Sequence, residues 1–506
     1  MKNILSNILI GLGTVLLLFS CTKDFEEINT NPNQADRLTN PGLLLPSIIR
    51  ETSNRNWDNS FDRFAVVSDQ VANQFASTFL DWTRLDSDRF FWSNYDKIKD
   101  LDKLIAISEE QGLANYKGVA MVMRAWLFQG ITDNFGAIPY TEAGKAQDDI
   151  NFPQYDSQEM VYAGILSELE TANELLGSTS EVVVGDILYN GDISGWKKFA
   201  NGLRLRILLR QSGRKDPSAE MQQIVGNPTV YPIFTSDEDQ AALQYLTDLG
   251  NEHPSFRGNV SDWASSSRLT TTMETILKSM DDPRLAVFAM PTPASANTGT
   301  PEYGGVPNGI QDIEQWNGGS ANHSAIGLLW APQQFAPDMA SENAAQSILM
   351  SYSELQFILA EARELGYITS GTAETYYLNG VRNQFDYYAS RIPDHFVLPT
   401  ANQVIPPATY YTQDSVAYTG TQQDKLNKIY VQKWLSLFLV GSEAWSHWRR
   451  VGVPEITPGP NSVGYIPVRY LYPADEQRLN LENYNEGVKL LGGPDDLTTP
   501  VWWDVD

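Results

Sequence analysis

Apolar residues along most of this chain recur every three or four positions, the spacing of one buried helix face. The clearest case is YKGVAMVMRAWLFQGITDNFGAIPY. There Tyr116, Val119, Ala120, Met123, Trp126, Leu127, Gly130 and Ile131 hold the period until Phe135-Gly136 and Pro139 stop it. The same spacing predicts a core helix from Phe61 to Phe75 and others near 156–176, 194–211, 269–280, 347–366, 372–388 and 423–441. Candidate strands are few and short, EVVV at 181–184 and YIPV at 465–468. The fold class read from this pattern is predominantly α-helical. One pair of helices shows how they associate. Tyr352, Leu355, Leu359 and Ala362 line one face, Gly366 ends it, and Ala373, Tyr377 and Val381 line the next, with small Ala360, Ala362 and Ala373 permitting close approach. This is the logic of a tetratricopeptide unit, loosely matched, and stacked pairs of this kind carry loops along one side.

Three stretches lack any apolar period: 282–346, 389–422 and the Pro/Gly-rich tail 454–506. The first is dense in Gly, Pro, Asn and Ser, yet it holds Tyr303, Trp316, His323 and Trp330, rings for which a linker has no need. Long ordered loops of this kind are usually functional.

The first twenty residues follow another rule. A basic Lys2 precedes an apolar run broken by Ser6 and Asn7, and Ser20 precedes Cys21. That is the layout of a secretory signal, and its unbroken part falls short of the roughly 18 residues a membrane span requires. Cys21 is the only cysteine, so it has neither a disulfide partner nor a thiol companion for a metal. Leu18-Phe19-Ser20-Cys21 resembles the bacterial lipobox, in which the thiol is acylated; Phe19 is bulkier than the usual occupant, and the alternative is an export signal whose cysteine is incidental. The acidic KDFEE that follows resembles the Lys-Asp/Glu address for the outer surface of the outer membrane. The organisation expected is a signal peptide over 1–20, a lipidated N-terminus and extended tether over 21–45, and a single domain over 46–506 with loop-rich insertions near 282–346 and 389–422.

With 62 acidic against 36 basic residues the chain carries a net charge of -26, which repels phosphate backbones and argues against a nucleic-acid partner. Charged residues make up 19% and aromatics 11%, a balance that suits neutral, hydroxyl-rich ligands, although a large core also consumes rings. No enzyme signature is present. The four histidines, His253, His323, His395 and His447, are dispersed, and neither a phosphate-binding loop nor a nucleophile elbow occurs. Paired carboxylates such as Asp281-Asp282 read as solvated faces or caps. DSDRFFWSNYD and PDDLTTPVWWDVD lack calcium-loop spacing, so no metal and no cofactor is expected. A sugar needs ring platforms and hydrogen-bonding side chains on loops. Trp82, Trp263, Trp316 and Tyr303 meet that description, and Arg84 and Arg268 stand close to two of them; for the arginines the alternative is a surface salt bridge. Trp126 and Trp434 read as core, and Trp445 and Trp448, which precede Arg449-Arg450, read as part of a structural motif. Asp81-Trp82 and Asp262-Trp263 put carboxylates beside rings, which keeps a surface glycoside hydrolase open as a second reading. A helical adaptor for protein contacts is a third.

Taken in order, DFEEINTNPN, RAWLFQGITDNFGAIPYTEA, DDPRL, YGGVPNG, SYSELQFILAEA, KIYVQKWLSLFLVGSEAWSHWRRVGVP and RYLYPADEQRLNLENY resemble the SusD/RagB nutrient-binding outer-membrane lipoproteins, in the SusD-like type 2 branch. The resemblance covers nearly the whole chain. It implies tetratricopeptide-like helix pairs packed against an irregular, loop-rich half that binds ligand, with contacts in the region after the first helix, where Trp82 falls. It also implies a SusC-like TonB-dependent β-barrel transporter as partner and a lipid anchor in the outer membrane facing the cell exterior. The expected cargo is an oligosaccharide, with oligopeptides the alternative, and no catalysis.

Overall fold

The computed structural model describes residues 40–73, 91–246, 250–257, 267–296, 298–310, 312–331, 345–392, 401–459, 462 and 464–505. Contacts divide the chain into residues 1–41 and a compact unit over 42–506. Within the latter, the principal helices are α1 (Leu45–Asn59), α2 (Tyr95–Gln111), α3 (Ala114–Phe135), α4 (Gln158–Leu175), α5 (Ile193–Arg210), α6 (Thr271–Ser279), α7 (Tyr352–Glu364), α8 (Ala373–Arg391), α9 (Gln422–Ser436), α10 (Glu443–Val451) and α11 (Leu481–Leu491). Local chemistry sets their starts. Ser157, Asp192, Thr270, Ser351 and Thr372 each accept a hydrogen bond from a backbone N–H of the first turn they precede, and Thr421 and Asp424 form a reciprocal capping box.

Neighbouring helices pair. α2 packs on α3, α3 on α4 and α4 on α5, while α7 packs on both α8 and α9. The structure thus realises the helix-pair scaffold expected from the pattern, and it bounds most of the predicted helices to within a few residues. Two short antiparallel sheets complete it: β1 (Val71–Asn73) with β3 (Ser267–Leu269), and β2 (Ala241–Gln244) with β4 (Gln346–Met350). The other edge of β4 is covered by side chains. Asn56 Nδ2 donates to the Ile348 carbonyl, Trp126 Nε1 and Arg206 Nη2 to that of Leu349, and Ser347 Oγ donates to that of Ser53. An isolated two-stranded sheet would be marginal; this one is held by the helices around it.

Four expectations are corrected. The helix predicted over Phe61–Phe75 ends at Val67. α1 runs into a wide turn at Ser60–Phe64 and a short helix at Ala65–Val67, and then the left-handed Asp69 (φ 58°) redirects the chain into β1. The tether predicted to reach residue 45 gives way to a 3-10 turn at Pro41–Leu43 that leads into α1. Residues 347–350, predicted as helix, belong to β4, because Ser351 caps the helix only from Tyr352 onward. EVVV and YIPV form no strand. Tyr116 hydroxyl takes both the N–H and the carbonyl of Val184, leaving Val182 and Val184 exposed, and Pro467 has no N–H for a ladder.

The scaffold centre is charged. Arg206 and Arg210, one turn apart on α5, face Glu354 of α7, Glu443 of α10 and Asp133 of α3, all buried. Arg206 meets Glu354 through two parallel bonds of 2.7 Å, and Arg210 lies 2.8 Å from Asp133 and also pairs with Glu443. Gln129, Tyr162 and Trp503 Nε1 donate to the Asp133 carboxylate, and Arg449 Nη1 donates to its carbonyl. Each buried acceptor therefore has several donors, the condition under which buried charge is tolerated.

Candidate functional site

The loop-rich half is built on β3. Beyond the β1 pairing, Arg268 bridges to Ala325, Thr270 to Val306 and Ala289 to Ile326, so backbone from four stretches runs side by side. Residues 303–308, YGGVPN, thread between two of them. A β-carbon on Gly304 would lie 2.1 Å from the Asn322 carbonyl oxygen, and one on Gly305 would lie 2.3 Å from that of Thr270, so only glycine fits at either position. The strand so placed turns Tyr303 toward α6. Val306, Ile310 and Ile313 make a small core with Ala72.

Above this sheet lies a cavity of about 600 Å³ lined by Glu274 and Lys278 of α6 and by Thr292, Pro301, Glu302, Tyr303, Asn317 and Asn322 from the loops. Its walls are tied to each other. Lys278 Nζ donates to Glu274 (2.6 Å) and to the Tyr303 carbonyl (2.7 Å), and Gly305 N–H donates to the other Glu274 oxygen (2.6 Å). Burial pushes the Tyr303 phenol up to about 12, so it stays a neutral donor. Trp316, 38% exposed, is fixed beside Asn317 by its indole N–H on the Gly305 carbonyl (3.2 Å) and by the His323 imidazole against its own carbonyl (2.9 Å). Asn317 and Gly318-Gly319 all take positive φ, and Asn322 Nδ2 closes the turn on the Asn317 carbonyl. Burial and the nearby Arg268 hold His323 below its ordinary range, so the imidazole stays neutral. The result is a hydroxyl-compatible cleft with two carboxamides at its edge and a half-open indole next in the chain to one of them.

A second cavity of about 530 Å³ lies on the other face of α6, floored by Ile276, Met280 and Val431 and edged by Asp414, Asp424, Asn427 and Lys428. No aromatic side chain lines it, so the loop-built cavity is the stronger candidate.

Of the residues singled out in the sequence, Tyr303 lines this cavity and Trp316 adjoins its lining residue Asn317. Arg268 is in the strand beneath, 6% exposed, with a hydrogen bond to the Ser267 carbonyl and the Glu314 charge nearby, so its place is buried and not at the surface. Trp82, Arg84, Trp263 and Cys21 lie outside the described residues. The chain leaves toward Trp82 and returns from Trp263 at one rung of the small sheet, Asn73 opposite Ser267. Sequence reasoning missed Thr292, Asn317, Asn322, Glu274 and Lys278. The NGG turn was the available signal for the carboxamides; the Glu274–Lys278 pair reads in sequence like any solvated helix pair. Asp282 also departs from expectation: it is no solvated cap but a fully buried partner of Arg284, with bonds of 3.0 and 2.6 Å, and Gln432 and Tyr410 complete the group. Three histidines are core: His253, His323 and His447 are each no more than 2% exposed, and burial lowers His253 to about 3.

No helix among the described residues is long and apolar enough to cross a membrane. Paired helices behind a loop-built cleft define the SusD-like architecture. The chain belongs to that family: residues 32–473 match its SusD-like profile, described as starch-binding associating with outer membrane. Solved relatives share the fold over nearly the full length. An outer-membrane protein of Bacteroides vulgatus described in connection with nutrient binding is 29% identical, with 92% of this chain and 100% of that one covered and a TM-score of 0.78. A SusD homologue of Bacteroides fragilis is 27% identical, with 92% and 99% covered and a TM-score of 0.76. A chitin-binding protein is 27% identical, with 92% and 100% covered and a TM-score of 0.76. Comparison with curated protein sequences finds no match. Nutrient binding in association with the outer membrane is the role this family supports.

Proposed function

We propose that this protein is a cell-surface lipoprotein that binds an oligosaccharide in the cleft between α6 and the 303–322 loops and passes it to a SusC-like TonB-dependent barrel. The observation that carries this reading is a cavity edged by Asn317, Asn322, Tyr303 and Thr292, with the half-open Trp316 indole next in the chain to Asn317. An indole takes the C–H face of a pyranose, and neutral amides and hydroxyls take its rim. The chitin-binding relative and the starch-binding description of the family favour glycan over peptide cargo. Hydrolysis is disfavoured by the carboxylates themselves. Both Glu274 oxygens are engaged, by Lys278 and by Gly305 N–H, which among the described lining residues leaves Glu302 without the second free carboxylate a glycosidase uses. Anchoring through acylated Cys21 and exposure on the outer face follow from the N-terminal pattern.

Calorimetry of the purified domain against chito-oligosaccharides, malto-oligosaccharides and mixed oligopeptides tests the assignment. Trp316→Ala is expected to weaken glycan binding by about 1.4–2.7 kcal/mol, a ten- to hundredfold loss. Binding of peptides alone, or hydrolysis products released by the isolated protein, would overturn the reading.

A further inference from the structure

Two local irregularities fall on one residue outside the cavity lining. Asp69 is 5% exposed and left-handed at φ 58°, a conformation costly for a side-chain-bearing residue and least so for Asp and Asn. Among the described residues no cation pairs with its buried carboxylate. From α6 it faces the Thr272 hydroxyl, which donates to Oδ2 at 2.5 Å, and from the 303–313 loop the Asn308 amide, which donates to Oδ1 at 2.7 Å. Neither group is titratable, and burial pushes the acid up to about 6. A packing residue has no use for this combination; real chains keep such violations where geometry matters more than stability.

The geometry it serves is that of the cavity walls. Thr272 lies two residues before Glu274 and six before Lys278 on α6, one wall; Asn308 lies between Tyr303 and Asn317, on the other. Two further bonds strengthen the clamp. Thr270 hydroxyl donates to the Asp69 carbonyl at 2.6 Å, and the Asn308 amide also reaches the Val66 carbonyl at 3.0 Å. Both walls are thus tied to the same residue of the scaffold, at the point where α1 and its extension turn into β1. Resting on the reading of this cavity as the glycan site, we propose that Asp69 is its positioning residue: one carboxylate holds helix and loop in register so that Tyr303, Asn317 and Trp316 face α6 at fixed distance.

The test combines amide hydrogen exchange over 303–310 and 312–317 with calorimetry, using chitohexaose and maltoheptaose as probes. Asp69→Ala is expected to speed exchange in these segments and weaken the better-bound probe by about tenfold or more. Asp69→Asn keeps an acceptor, suits the left-handed backbone and removes the buried charge, so it holds exchange at or below the wild-type rate. Opening the clamp returns Asp69 to water, so the wild-type clamp tightens as the pH falls from 7 to 5 and the Asn variant shows no such trend. Should Asp69→Ala fail to fold, Thr272→Val, which deletes a single arm, is expected to speed exchange in the same segments. The proposal is overturned if the Ala variant exchanges and binds like wild type, if the Asn variant loosens as much as Ala does, or if Thr272→Val leaves exchange unchanged. Exchange that follows expectation in a protein that binds neither glycan leaves the clamp standing and removes the glycan assignment instead.

Discussion

Replacing Arg210 with Met separates the energetics of the scaffold from those of the site. The side chain is buried, 2.8 Å from Asp133, paired also with Glu443, and stacked on Trp503 at 5.3 Å. Met fills much of the same volume and keeps the apolar contact, so the loss is electrostatic. Removing one partner of a buried ion pair costs about 3–5 kcal/mol. The lower end applies, because Asp133 keeps Gln129, Tyr162 and Trp503 as donors and Glu443 keeps Gln129 at 2.9 Å and Arg206 at 3.6 Å. With an unfolding entropy of about 2.1 cal/mol/K per residue over the unit 42–506, a loss of about 3 kcal/mol lowers Tm by about 3 °C. The pH dependence supplies a second reading. Burial alone would raise the Glu443 carboxyl, but Arg206 and Arg210 together hold it below its ordinary range. A depressed acid contributes stability above its unfolded pKa and loses it as the pH falls through the folded one. Arg210→Met removes part of that contribution, so the gap between variant and wild type narrows below about pH 4. Differential scanning calorimetry at pH 7 and across the acid range measures both. A Tm loss under about 1 °C at pH 7, or a gap that stays constant into acid, would refute the account of the network as mutually dependent pairs.

Three further outcomes are expected. Asp69→Asn should gain on wild type by about 2–3 kcal/mol between pH 4 and pH 7 in urea unfolding, because a raised acid stabilises below its unfolded pKa and that contribution is lost as the pH rises through about 6; parallel pH profiles would contradict it. Gly305→Ala should displace the Tyr303 strand from Thr270 and abolish glycan binding in calorimetry while far-UV dichroism stays native; retained affinity would show that the close approach is relaxed at no cost to the site. Cys21→Ser should leave the fold untouched and move the protein from the membrane to the soluble fraction, since acyl chains contribute about 0.8 kcal/mol per buried CH₂; continued fractionation with the outer membrane in cells lacking the barrel would refute acylation at that residue.

The helices were legible because their period is carried by many residues at once. α3 buries almost every side chain from Val119 to Phe135, and Gly136, at φ 85°, marks its stop. The strands were not, since β1 and β3 are three residues long and owe their conformation to a partner about 200 positions away. At the site, Tyr303 and Trp316 stood out as rings in a loop where rings need a reason. The facing wall did not, because Glu274 and Lys278 gain meaning only from Gly305 and Tyr303, which the folded chain sets against them. The burial of Arg268 was hidden for a related reason: an arginine within a small sheet has no periodic signature. The segments that carry the family likeness make sense once folded. RAWLFQGITDNFG supplies Gln129 and Asp133, EAWSHWRR supplies Glu443 and Arg449, and RYLY brings Arg469 to the Phe135 carbonyl and Tyr470 N–H to that of Asn134.

The Asp133 centre also bears on the order in which this chain can mature. Its donors include Trp503, 370 residues away, and the nearby Arg469 and Tyr472 backbone depend on Asp495. Contacts of such separation are the slow ones, because the loop must close before they return any free energy. A chain emerging from an export channel N-terminus first would expose α3 with its buried carboxylate incompletely served until its last few residues had crossed. A product cut before Asp495 keeps every residue that lines the cavity, yet lacks Trp503 as a donor to Asp133 and Asp495 as the partner of Arg469, and is expected to be more readily degraded by protease than the full chain.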